Sequence, residues 1–190
     1  DTAHPTQTRL GNDKAVANLV SDMNAGTVGA VIMAGVNPAY TLPNATAFIE
    51  GLKQTELSVA FSMKNDETAS VSQYVAAAPH YLESWGDIET KKGYYGLMQP
   101  TIRPLFDTKQ FQDVLLEIIG TSGSYHDFVK SYWKSNILKG ASWNDALHDG
   151  IYTSTTSATV ETADAFDGSG ISSLSDAANA LAASITRGIE

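Results

Sequence analysis

Apolar and polar positions change their period along the chain in a definite order. Ala15, Val16, Leu19, Val20 and Met23 recur at helical spacing. With Asn12 as cap and Gly26 as stop, they predict a helix over 12–26. The continuous apolar run Val28–Ala34 follows. Its length and branched residues predict a strand buried on both faces, as in a parallel sheet. Pro43-Asn44 opens a second helix to about Gln54, with Ala47, Phe48, Gly51 and Leu52 inward. Leu57–Ser62 reads as a strand, 69–73 as a short helix, and Tyr74–Ala78 as a third strand. Strands alternating with helices imply crossover connections and a parallel sheet.

The period is lost over Pro79–Pro104, a stretch rich in Gly, Trp, Tyr and Pro that reads as a long ordered loop. Asp107 or Thr108 is placed to cap a helix running to Ile119, with Phe111, Val114, Leu115, Ile118 and Ile119 apolar and Gly120 closing it. A further helix is predicted from Ser124 to about Asn136, burying Tyr125, Phe128, Val129, Tyr132 and Trp133. Ser142–His148 gives another, stopped by Gly150. The expected fold is therefore α/β: three layers, a mostly parallel sheet with helices on both faces, and additional C-terminal helices. Residues 1–150 are expected to form the α/β domain. The Ser-, Thr- and Gly-rich 151–170 reads as a linker or edge hairpin. Residues 171–190 read as a terminal Ala-rich helix with Leu174, Ala177, Ala178, Leu181 and Ile185 on one face.

Composition narrows the function classes. The 190 residues are 43% hydrophobic, which suits a globular core. Twelve Lys and Arg against 21 Asp and Glu give a net charge of −9. That balance disfavours a nucleic-acid backbone or an anionic membrane surface as partner. No apolar run is long enough to span a bilayer. With no cysteine, disulfides, thiolate catalysis and Cys-ligated zinc or iron–sulfur clusters are excluded within these residues. The start at Asp1, with no leader, is expected of a processed or excised chain.

The candidate chemistry gathers at strand ends. Gly35-Val36-Asn37-Pro38 follows the first strand, where open α/β sheets bind ligands. It also reads as a plain strand-to-helix turn. Asp66-Glu67-Thr68 follows the second strand, and two acids at a helix start favour its dipole. His80 and Glu83 follow the third. The topology would bring Asn37, Glu67, His80 and Glu83 to one sheet edge, as a hydrogen-bonded cluster or a small-molecule cleft; a metal site is not assigned. His126 and His148 fall on helices, and His4 near the start. Trp85, Tyr94, Tyr95, Met98 and Pro100–Pro104 read either as a partner surface or as a loop packed on its own sheet. No dinucleotide fingerprint, P-loop, nucleophile elbow or His-Glu-x-x-His motif is present.

Taken together, Gly35–Pro38, Pro43, Asp66-Glu67-Thr68 and His80–Asp87 resemble molybdopterin oxidoreductases of the DMSO reductase class. In those proteins a Gly-x-Asn-Pro turn, a Glu-Thr pair and a Pro-x-x-x-x-Glu element follow successive strands. The strings Leu82–Asp87, Leu97–Phe106 and Trp143–Gly150 are similar to the large iron–sulfur subunit of alternative complex III, a bacterial quinol:cytochrome c oxidoreductase. That resemblance covers about 1–150. It implies a vestigial cofactor site at Gly35, Asn37, Pro38, Glu67, Thr68, His80 and Glu83. It also implies no cofactor in this chain, iron–sulfur clusters elsewhere in the parent protein, and no catalytic residue. Partners would be other subunits of a membrane respiratory complex, at the periplasmic face of the inner membrane. Ser84-Trp85-Gly86-Asp87 and Gln99-Pro100 depart from the pattern of the catalytic enzymes. The alternatives are a pterin-dinucleotide-binding domain of an active oxidoreductase and a small-molecule-binding α/β domain.

Overall fold

The computed structural model describes residues 4–8 and 11–154, together with 175, 176, 178, 179 and 182. Most of the residues expected as linker and as terminal helix lie outside the described set.

The first module is a parallel sheet with its helices on one side. Helix α1 (Asp13–Asn24) is capped by Asn12, whose side chain accepts from the Ala15 N–H. Strands β1 (Ala30–Ala34), β2 (Leu57–Ser62) and β3 (Tyr74–Ala77) pair in parallel, in the order β1-β2-β3. Between them run α2 (Pro38–Thr41), α3 (Ala45–Gln54) and α4 (Glu67–Val71). The expected single helix from Pro43 is thus preceded by a short turn of helix, with Pro38 at its start and Pro43 in the break. Met23, Val31, Met33, Phe48, Leu52, Ala60 and Ala69 form the core between helices and sheet. Gly51 lets α1 approach α3: a Cβ there would meet Asn24 Nδ2 at 2.8 Å and Met23 Cβ at 2.9 Å. Asn24 uses that closeness to donate to the Ala47 carbonyl at 2.9 Å.

The strand order explains a departure from expectation. Strands laid side by side in one direction, each joined by a right-handed crossover, put all their crossover helices on the same face. Strand β1 is therefore not buried on both faces. Val31 and Met33 are buried, while Ile32 between them is 47% exposed. Leu57 and Tyr74 are also exposed. The opposite face is met at one end by α5 (Phe111–Ile118), where the Phe61 and Phe111 rings lie 4.8 Å apart.

The second module replaces the long ordered loop expected over 79–104 with regular structure. A 3-10 turn (Tyr81–Glu83) leads into an antiparallel sheet of β4 (Gly86–Lys91), β5 (Tyr94–Met98) and β6 (Ile151–Thr153), ordered β4-β5-β6. The hairpin turns at Lys92-Gly93, where Gly93 has φ +83°. A register shift between Glu89 and Lys91 interrupts the alternation along β4. Strand β6 takes the first residues of the expected linker or edge hairpin into this sheet. Gly150, at φ +70°, turns α7 (Trp143–Asp149) into β6.

Helix α6 (Tyr125–Tyr132) continues as a π-helical turn, Trp133–Ile137. Val129 and Trp133 point into a core shared with Leu97, Ile137, Leu138 and Trp143. Phe128 and Tyr132, expected inside, are half exposed. They stack along the flank of α6 with Tyr125, at 6.3 and 6.4 Å. On α5, Leu116 is the buried residue, whereas Ile118 and Ile119 face outward.

Candidate functional site

The carboxyl end of the parallel sheet holds a closed polar network. Gly35 leaves β1 at φ +65°, a left-handed conformation that Gly adopts without steric cost. Its N–H donates to the Phe61 carbonyl at 3.2 Å. Pro38 then begins α2, and Asn37 is its N-cap residue. The Asn37 side chain does not cap α2 but reaches across to α4. Its Nδ2 donates to Glu67 Oε2 at 2.7 Å. Its Oδ1 accepts from the Thr68 N–H at 3.1 Å and from the Thr68 hydroxyl at 2.7 Å. The Thr68 hydroxyl in turn accepts from the Ala39 N–H at 3.0 Å. Thr68 is wholly buried.

Asp66 anchors the same turn. Its side chain caps α4 through the Ala69 N–H at 2.9 Å and accepts from the Ser62 hydroxyl at 3.1 Å. Asn37, Glu67 and Thr68 thus clasp the ends of β1 and β2 together.

His80 and Glu83 form a separate unit. The Glu83 carboxylate accepts from the His80 N–H at 3.0 Å and from the Leu105 N–H at 3.2 Å. His80 Nδ1 accepts from the Leu82 N–H at 3.3 Å, completing a reciprocal cap of the 3-10 turn. Neither residue bonds to Asn37, Glu67 or Thr68. The expected four-residue cluster is therefore two clusters, one on the parallel sheet and one at the entry to the hairpin. His148 lies beside Asp149, both exposed at the end of α7, and His4 against Tyr94. Among the described residues, no three His, Asp or Glu converge as metal ligands.

The hydrogen bond from Asn37 holds the Glu67 carboxyl below its ordinary range, with a backbone N–H adding to the effect. The sign follows from linkage: this contribution to stability is present above the ordinary carboxylate range and is lost as the pH falls through the lowered native value. Glu67→Gln should therefore make the urea midpoint fall less steeply than in the parent chain between about pH 7 and about pH 3. Parallel curves for the two proteins would contradict the role given to Glu67.

Sequence reasoning missed the wall beside this network. A cavity of about 550 Å³ opens at the strand ends, lined by Gly35, Asn37, Lys64, Trp85, Gln110 and Phe111 among others. Helix α5 starts after Gln110, rather than at the expected Asp107 or Thr108 cap. The Gln110 amide instead holds the backbone of Trp85. It accepts from the Trp85 N–H at 3.2 Å and donates to the Trp85 carbonyl at 2.6 Å. The Trp85 ring lies 4.2 Å from that of His126 on α6. Nothing local in the sequence signals a contact across 25 residues. Nearby, Asp87 on β4 accepts from the Tyr125 hydroxyl and from Trp133 Nε1, each at 2.9 Å. Burial, and then the Asp87 charge, push the Tyr125 phenol upward.

Comparison with known proteins fits this architecture. The chain is 32% identical over 125 residues to the menaquinone reductase, molybdopterin-binding-like subunit, of Nitratidesulfovibrio vulgaris (strain Hildenborough), covering 60% of this chain and 18% of that protein. Over those residues the chain is thus similar to part of a molybdopterin-binding-like subunit. It also resembles acetylene hydratase from Pelobacter acetylenicus, with a TM-score of 0.53 at 19% identity over 73% of this chain and 20% of that one. This second likeness shows the α/β fold. The chain spans about a fifth of the length of each of these proteins. No family model matches it.

Proposed function

We propose that the chain is a non-catalytic structural domain of a larger subunit in a quinone-linked electron-transfer complex, and that it has lost pterin-cofactor binding. The observation that carries this reading is the closure of the Asn37 network. Both ends of the Asn37 amide, the Glu67 carboxylate and the Thr68 hydroxyl are engaged with one another or with the backbone. The residues that the resemblance aligns with a cofactor wall instead hold two strand ends together. Glu83, likewise, has both carboxylate oxygens engaged by backbone N–H groups.

The cleft is also a poor match for a pyrophosphate-bearing dinucleotide, which calls for convergent cations or bidentate arginines. Among the described lining residues the cationic side chain is Lys64, with Asp66 two positions away. The same reading extends to an alternative-complex-III-like parent, whose iron–sulfur clusters would lie elsewhere in the subunit. The domain would then sit in a membrane-associated assembly at the periplasmic side. No helix among the described residues is long and apolar enough to cross a membrane. A docking role is favoured by Leu105, Phe106, Ile118 and Ile119, large apolar side chains left mostly exposed.

The test is Asn37→Ala in the full-length protein. A structural clasp predicts lower thermal stability with unchanged turnover per assembled complex. Lost turnover at unchanged stability would place Asn37 at a working cofactor and overturn the reading.

A further inference from the structure

Parallel sheets are ordinarily covered on both faces, because both faces are apolar. Beyond the Phe61–Phe111 contact, one face of this sheet stands open. Register places Ala30 beside Leu57, Ile32 beside Val59, and Val59 beside Tyr74. Alternation puts these five side chains on the face opposite buried Val31, Met33, Ser58 and Ala60. Ile32 is 47% exposed and Tyr74 62%. The Tyr74 hydroxyl is the one polar group the five carry. Three strands spaced about 4.8 Å apart make this strip about 10 Å wide, the diameter of one helix.

The described helices are committed elsewhere. Helices α1, α3 and α4 contribute Met23, Phe48, Leu52 and Ala69 to the core on the other face. Helices α6 and α7 pack on the antiparallel sheet. Helix α5 meets the open face at Phe61. What this chain still has to offer is the stretch after β6. In it, residues 175, 176, 178, 179 and 182 are helical and exposed. Continuing that helix over 171–187 sets Leu174, Ala177, Ala178, Leu181 and Ile185 along one side, and Asp176 and Asn179 opposite. Alanines in the stripe let a helix approach a sheet closely. Reach is no obstacle. Residues 155–170 span up to about 50 Å when extended, against a radius of gyration of about 15 Å for a domain of this size.

We propose that helix 171–187 lies on the open face of the parallel sheet, with its Leu174–Ile185 stripe over Ile32, Val59 and Tyr74. Each surface is apolar and takes the other out of water. The sheet then gains the second helical layer that its own crossovers, all on one side, do not supply. The inference goes beyond the scaffold role and is independent of whether a pterin is bound.

The chain has no cysteine, so introduced pairs report on themselves alone. In the 190-residue chain, Ile32→Cys is combined in turn with Ala178→Cys, Leu181→Cys, Asp176→Cys and Asn179→Cys. Each dilute protein is treated with a short bismaleimide, and cross-links within one chain are followed by mass spectrometry. The Ala178 and Leu181 pairs should close about tenfold faster than the Asp176 and Asn179 pairs, because docking raises their effective concentration beside residue 32. Equal rates would overturn the inference. Cross-links between chains instead would also overturn it and give the face to a second copy. No cross-link would leave the face to a different protein and overturn it too. Without any label, Leu181→Asp should lower the melting temperature by about 5 °C. That loss should largely vanish in a chain already carrying Ile32→Asp, because the two residues share one contact. An unchanged melting temperature, or equal losses in both backgrounds, would contradict the docking.

Discussion

Trp133→Ala should be the most damaging single substitution in the second module, costing about 3–5 kcal/mol. The side chain is fully buried beneath the antiparallel sheet. It meets Trp143 and Tyr95 edge to face, each at 6.0 Å between ring centres. Its Nε1 donates to Asp87, so truncation opens a cavity and also takes a donor from that carboxylate. In a chain of this size the melting temperature should fall by about 10 °C. Trp133→Phe separates the two effects. It keeps most of the volume and loses the N–H, so it should cost only about 1–2 kcal/mol. Equal losses for both variants would mean that the Asp87 hydrogen bond, rather than packing, holds the helix to the sheet.

Thr68→Val should cost about 2 kcal/mol, a large loss for a change that conserves shape. The valine fills the same space, so no cavity accounts for it. What is removed is a hydroxyl that donates to Asn37 and accepts from Ala39. The Ala39 N–H is then left without its acceptor, and Asn37 keeps only the backbone donor of residue 68. Thr68→Ser retains the hydroxyl and loses one methyl group, about 0.8 kcal/mol of apolar burial. Chemical denaturation of the three proteins measures the difference. A Val variant no weaker than the Ser variant would mean that the clasp contributes nothing to stability.

The parallel half of the fold was legible because its signals are local. Val28–Ala34 and Leu57–Ser62 are short apolar runs, and Asn12, Asn44 and Asp66 each cap the helix they precede. The hairpin was not legible. Strand β4, Gly-Asp-Ile-Glu-Thr-Lys, carries one apolar residue and is interrupted by a bulge. It is held by pairing with β5 and by Asp87 reaching α6, contacts that a local pattern does not encode. The inward face of α6 was misread at Phe128 and Tyr132. Helical spacing alone does not say which of two adjacent apolar stripes meets the sheet, and here it is Val129 and Trp133.

At the site, turn chemistry marked Gly35, Asn37, Pro38, Glu67 and Thr68, and the structure brings them together as neighbours. The strand-end rule also placed His80 and Glu83 there, because three parallel strands end at one edge. Beyond β3, however, the chain turns away into the hairpin, and its first residues cap their own turn. The Trp85–Gln110 pair depends on a contact between distant segments and carried no local signature.

The measurement that bears most directly on the central claim is the metal and pterin content of the full-length protein, by elemental analysis and by fluorescence of the oxidised pterin. A structural domain with a closed Asn37 network predicts a protein without molybdenum, tungsten or pterin. Stoichiometric molybdenum or tungsten with pterin would contradict the account and make the Asn37 edge a working cofactor wall.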